Sequence, residues 1–135
     1  MSNIFSGTGN IGRAPELRMV DLNGRVAKVL ELRVFFDAYK TNPQTNELEQ
    51  DDSASFWKNV TIWNDRAERA SKFLVKGARV HVTGYLKGER WTDKDSGTER
   101  FGEYVVADDV FLSFARVASV TFREKAQEGS SEGAE

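Results

Sequence analysis

The sequence predicts an all-β fold with one short helix, a five-stranded antiparallel Greek-key barrel. Three observations carry that expectation. Apolar and polar residues alternate with a period of two along several separate stretches, the pattern of half-buried strands. Only one stretch has helical spacing. The strands do not alternate with helices in the βαβ manner that a parallel sheet requires.

Taken in order, the chain begins with Gly7-Thr8-Gly9-Asn10-Ile11-Gly12, which matches the dinucleotide-binding fingerprint G-x-G-x-x-G letter for letter. That fingerprint needs a buried strand before it and a crossover helix after it. Here only six residues precede Gly7, and Arg13-Ala14-Pro15 runs on to the turn at Asn23-Gly24 too soon for such a helix. The glycines are better read as permitting a bend or bulge in a barrel strand.

Residues 26–36 read as a long strand. Leu30, Leu32 and Val34 share one face, and Glu31 and Arg33 the other. Asn23-Gly24 predicts a tight hairpin joining that strand to residues 16–20. Residues 38–53 are polar, contain Pro43 and have no apolar period, so they read as a loop. Residues 55–63 form a second strong strand. Residues 64–77 are the helix: Asp65 and Glu68 have capping-box spacing, Ala67, Ala70 and Leu74 recur helically, and Lys76-Gly77 is a stop. Residues 78–86 alternate again, with Val80, Val82, Gly84 and Leu86 on one face. Residues 92–98 are a turn and 100–112 supply the returning strands. The expected organisation is a folded domain over 1–115 and a short extension over 116–135, mostly disordered because its end is rich in Glu, Gly and Ser.

Composition narrows the function. There is no cysteine, which excludes disulfides, thiolate catalysis and cysteine-ligated zinc. No run is long and apolar enough to span a bilayer, and Met1-Ser2-Asn3-Ile4-Phe5-Ser6 does not read as a signal peptide. A cytoplasmic, nucleoid-associated protein without membrane contact is expected. The net charge of −2 counts against a nucleic-acid partner. Yet residues 124–135 hold four acids and one base, leaving 18 bases against 17 acids in the first 123 residues. A basic surface must then be a local patch.

The aromatic residues point to chemistry. Trp57, Trp63 and Trp91 stand beside Lys58, Asn59, Asn64, Asp65, Arg90 and Thr92, and Tyr39 lies upstream in the polar loop. Flat π-faces bordered by cations suit stacking on unpaired bases. If Val60 and Ile62 face the core, both Trp57 and Trp63 face outward, roughly 20 Å apart at about 3.3 Å per residue. The plainer alternative covers that face with a partner subunit. For Trp91 the alternative is an ordinary hairpin aromatic packed on its own ribbon. Arg33, Lys58, Arg79, Lys87, Arg90 and Arg100, on strands and their ends, could follow a phosphate backbone, although each taken singly reads as a solvated side chain. His81 is the only histidine and has no clustered carboxylate, so neither a metal site nor acid–base catalysis is expected. No catalytic residues and no cofactor are expected.

Four segments have a familiar order: Asn10-Ile11-Gly12-Arg13-Ala14-Pro15-Glu16-Leu17-Arg18, Phe56-Trp57-Lys58-Asn59-Val60, Ala67-Glu68 through Lys76-Gly77-Ala78-Arg79-Val80, and Gly84-Tyr85-Leu86 with Trp91-Thr92-Asp93. Together they resemble the bacterial single-stranded DNA-binding protein family over roughly residues 3–115. The resemblance implies an OB fold, a homo-oligomer (usually a tetramer, otherwise a dimer), and binding of single-stranded DNA without strong sequence preference during replication, recombination or repair. It carries the stacking role to Tyr39, Trp57, Trp63 and Trp91, and basic contacts to Lys58, Lys76, Lys87, Arg90 and Arg100. The family commonly ends in an acidic tip closing on Pro-Phe that recruits enzymes. This chain ends Ser130-Ser131-Glu132-Gly133-Ala134-Glu135, so recruitment through the tail is not expected. Asp65 and Glu89 set acids near the expected DNA contacts. A divergent member is implied, with an OB-fold replication or primosome accessory module acting through protein contacts as the alternative.

Overall fold

The computed structural model describes residues 2–125. Its strands are β1 (Asn3–Ile11), β2 (Glu16–Leu22), β3 (Arg25–Phe36), β4 (Tyr39–Thr41), β5 (Leu48–Gln50), β6 (Phe56–Trp63), β7 (Arg79–Thr92) and β8 (Glu99–Leu112), with one helix, α1 (Asn64–Ala70). The ladders β1–β7, β7–β8, β8–β6, β6–β3 and β3–β1 form a closed ring of five strands. The expected five-stranded barrel with one helix is what the chain adopts. Four of the closing ladders are antiparallel; β6 and β8 pair in parallel, through Val60 with Val105 and Thr61 with Val106. That pairing follows from the path, because α1 and β7 intervene before the chain returns beside β6.

Alternation on the strands builds the core. Leu30, Leu32 and Val34 of β3, Val60 of β6, Val80 and Val82 of β7, Val105 of β8 and Ile11 of β1 are all fully buried. Ala67 of α1 and Leu74 beyond it join the same cluster and close one end. β2 extends β3 outside the ring in the expected hairpin, with Leu17 opposite Leu30 and Leu22 opposite Arg25. Asn23 and Gly24 both have positive φ, 53° and 84°, as a primed hairpin turn demands.

β1 bends between two partners. Residues 3–10 pair with β7, and residues 9–11 also pair with β3. Gly9 sits at the crossing; a Cβ there would land on the carbonyl oxygen of Phe35. The expected bend is therefore real, and its cause is close approach between main chains.

Two expectations need correction. The helix ends at Ala70, well before Gly77. The Ser71 hydroxyl donates to the Glu68 carbonyl, and residues 71–78 continue as hydrogen-bonded turns that carry Leu74 into the core. The capping box is absent. Trp63 occupies the N-cap position without a side-chain cap, and Glu68 instead accepts a hydrogen bond from the Lys28 ammonium at 2.8 Å. The polar loop also contains a small hairpin, β4 with β5, turned by Asn46 at φ 61° and by the Asn42 side chain, which accepts from the backbone of Gln44 and Thr45. Its strands are too short to leave a period in the sequence. Residues 117–125 have no regular structure. The tail expected to be disordered lies largely over 126–135, outside the described residues.

Candidate nucleic-acid interface

The ladder register assembles one continuous outer surface from β3, β6, β8 and β7. Trp57 is paired with Phe35, Asn59 with Arg33, Thr61 with Glu31 and Trp63 with Val29. Thr61 continues to Val106 and on to Tyr85. Beyond them Tyr104 pairs with Lys87, Gly102 with Glu89 and Arg100 with Trp91. Trp57, Trp63, Lys87, Trp91 and Arg100 therefore share one side of the sheet, as alternation requires.

Trp57 and Trp91 are each about half exposed, at 47% and 48%. Trp57 has a tilted contact with Phe35, centroids 5.1 Å apart, and the Arg33 guanidinium lies 5.7 Å from its ring. Arg33 is held there by a 3.1 Å hydrogen bond to the Asn59 side-chain oxygen. Trp63 is more enclosed. It borders an open groove of about 370 Å³ with Val29, Asn59, Thr61, Glu89 and Tyr104. Thr61 is buried there, and its hydroxyl is satisfied by donating to the Val105 carbonyl at 3.4 Å. The surface thus offers two projecting indoles and, on the same side, a groove bordered by a third.

Other candidates lie elsewhere. Lys58 and Arg90 belong to the opposite strand parity, with the core-facing positions. The Lys58 ammonium is 3.6 Å from Glu103 and 5.7 Å from the Phe56 ring. Arg90 lies 4.9 Å over Phe101 and 3.9 Å from Glu99. Tyr39 is exposed on the separate β4–β5 hairpin. Lys76 lines a different groove, with Phe73, Val75, Leu112 and Arg116. On the indole side, Arg100 is engaged by Asp93 at 3.1 Å, whereas Lys87 is exposed with no ion-pair partner among the described residues. The pairs at Arg90 and Arg100 are exposed and worth roughly 0–1 kcal/mol each, so a phosphate can displace the carboxylate.

Strong electrostatics sits in the scaffold. Arg79 donates to both carboxylate oxygens of Asp37 at 2.8 and 3.0 Å, and these bonds raise the Arg79 pKa above its ordinary value. The hydrogen bond from Lys28 holds Glu68 below the ordinary carboxylate range. His81 is clamped on the outer side of β1 and β7, Nδ1 2.7 Å from the Thr8 hydroxyl and Nε2 3.1 Å from that of Ser6.

Sequence reasoning missed Phe35 and Tyr104 as neighbours of the site. Tyr104 had a usable signal: it alternates with Arg100 and Gly102, so it must share their side. Without the β7–β8 register, nothing tied that side to Trp91.

Residues 3–113 match the model of the single-strand binding protein family. The fold is similar to that of the small single-stranded DNA-binding protein from Streptomyces coelicolor, with TM-score 0.69 and 21% identity over 87% of this chain and 99% of that one. It is also similar to the SSB of Plasmodium falciparum, solved in complex with ssDNA, with TM-score 0.64 and 22% identity over 82% of this chain and 94% of that one.

Proposed function

This chain belongs to the single-strand binding protein family and binds single-stranded DNA, and from that premise we propose that the strand is held across the outer surface of β3, β6, β8 and β7. Trp57, Trp63 and Trp91 stack on bases, while Lys87 and Arg100 meet phosphates. Arg33 supports the Trp57 ring, and Tyr104 lines the groove with Trp63. The observation that supports this reading is the shared parity of the three tryptophans on one surface with two of them half exposed. Every base has a π-face, so stacking on the indoles does not depend on which base is bound. Binding is accordingly without strong sequence preference. Tyr39, Lys58, Lys76 and Arg90 lie off this surface, and they contact DNA only where the strand leaves it. Processes that expose single strands, replication, recombination and repair, are where such a protein acts. It does so without catalysis, in the cytoplasm at the nucleoid.

The assembled form is a homo-oligomer, a tetramer in the usual family pattern. In support, residues 3–8 of β1 pair with β7 on one side and have no strand on the other among the described residues. A bare edge of that length invites backbone pairing with a second copy. Light scattering of the intact protein measures the state directly; a monomer at micromolar concentration removes this part of the reading.

Titration with oligo-dT tests the interface. Intrinsic fluorescence should be deeply quenched, and heteropolymers of mixed sequence should bind within about a few-fold of oligo-dT. Tight binding without quenching would mean that the indoles do not touch the bases.

A further inference from the structure

We propose that Gly12 and Gly102 are positioning residues that act as end-stops for the two projecting tryptophans, and so determine where Trp57 and Trp91 present their faces to bases. The inference rests on the stacking role proposed above and adds what holds the rings in place.

Gly12 follows β1, and its N–H donates to the Arg33 carbonyl at 2.7 Å, which fixes its main chain to β3. A Cβ at Gly12 would lie 2.5 Å from Cη2 of Trp57 and as close to Cζ3. The next nearest atom is the Arg33 carbonyl oxygen, 3.6 Å away. Two adjacent ring atoms are therefore near and the others are not. A point above the face of a six-membered ring would be close to all of its atoms, so the glycine meets the outer edge of the indole and not its faces.

Gly102 repeats the arrangement on the β7–β8 hairpin. It sits opposite Glu89, diagonal to Trp91, and a Cβ there would lie 3.1 Å from the same two ring atoms, Cη2 and Cζ3, with no third atom within 4 Å. Two tryptophans on different strands thus end on a glycine main chain through the same edge. Neither glycine has the left-handed backbone that would by itself call for glycine. Close approach of the indole is what excludes a side chain from each position.

The two distances predict graded effects. At 2.5 Å a methyl group cannot coexist with the ring, so Gly12→Ala must displace Trp57. At 3.1 Å a shift of a few tenths of an ångström suffices, so Gly102→Ala should disturb Trp91 less. Because Trp57 is half exposed, its displacement need not unfold the barrel.

The experiment measures oligo-dT affinity and thermal melting for Gly12→Ala, Trp57→Ala and the double variant of the intact chain, and likewise for Gly102→Ala with Trp91→Ala. Gly12→Ala is expected to weaken binding about tenfold, within the range of one lost base stack, and to have almost no further effect once Trp57 is alanine. Gly102→Ala is expected to give a smaller loss with the same dependence on Trp91. Equal losses with and without the tryptophan would overturn the proposal, since the glycine would then act through the backbone. So would wild-type affinity for Gly12→Ala when Trp57→Ala binds weakly.

A second readout does not depend on DNA. With Trp63 and Trp91 replaced by phenylalanine, Trp57 is the sole reporter. Gly12→Ala should shift its emission and lower its anisotropy in the free protein. If Trp57→Ala leaves affinity intact, the stacking role fails, and this emission decides the end-stop separately: an altered spectrum upholds it and an unchanged one sinks it.

Discussion

On the inner side of β6, Val60 and Ile62 keep 0% and 3% of their surface in water; on the outer side of the same strand, Trp57 keeps 47%. Both sides carry large apolar groups. The inner pair is surrounded by Leu30, Leu32, Val82 and Val105, so its contribution is made when the chain folds. Trp57 leaves about half of its area to be covered later, by whatever binds. The same strand thus divides its apolar surface between stability and recognition, and alternation alone keeps the two separable.

Substitutions on the two sides should separate them. Ile62→Ala removes buried methyl groups from a closed core and should cost about 2–5 kcal/mol in urea unfolding. The protein that remains folded should still bind oligo-dT with wild-type affinity. Trp57→Ala and Trp63→Ala should do the converse, each weakening oligo-dT binding by about 1–3 kcal/mol. Trp57→Ala should leave the melting temperature unchanged, and Trp63→Ala should lower it slightly because Trp63 is the more enclosed. An equal loss of stability in both would erase the distinction between the sides.

The comparison sharpens among the cations. If Lys87 contacts a phosphate, Lys87→Gln should flatten the dependence of log affinity on log salt by about 0.7. Arg90→Gln should flatten it less, because Arg90 lies on the other side over Phe101. Equal slopes for the two would place DNA on both sides of the hairpin. The smallest effect is expected at Glu89, a carboxylate that borders the groove and has no ion-pair partner among the described residues. Glu89→Gln should tighten binding by a few tenths of a kcal/mol at low salt and not at all at high salt, where the field is screened.

Much of the scaffold was legible in the sequence. Asn23-Gly24 announced the β2–β3 hairpin, and alternation sorted β3, β6 and β7 correctly because the buried apolar residues of each recur on one side. The helix was over-extended since Leu74 kept the helical spacing while reaching the core from a turn. The β4–β5 hairpin was silent because main-chain bonds and Asn42 hold it, not apolar side chains. At the site, the tryptophans were visible as aromatics in polar company. Strand parity alone separates Lys58 from Trp57 and Arg90 from Trp91; the placement of Arg100 beside Trp91 was not legible, since it depends on the pairing of β7 with β8. That ladder slips by one residue between Thr83 and Gly84, leaving Asp108 without a partner on β7. A slip of this kind exchanges the two sides of a strand and leaves no mark in composition.

The ring of strands is closed by its first member. Asn3 pairs with Leu86, and residues 3–8 of β1 pair with β7 alone among the described residues. During synthesis at roughly 5–20 residues per second, β1 must wait several seconds for that partner to be made. Until then Phe5, which packs against the core in the folded protein, is unsheltered. Contacts so distant along the chain make folding slow, on the order of milliseconds to seconds even for the finished protein. The vulnerable moment in the life of this molecule is therefore its birth: interrupted translation anywhere before β7 yields a chain that cannot close, with a sticky leading strand exposed.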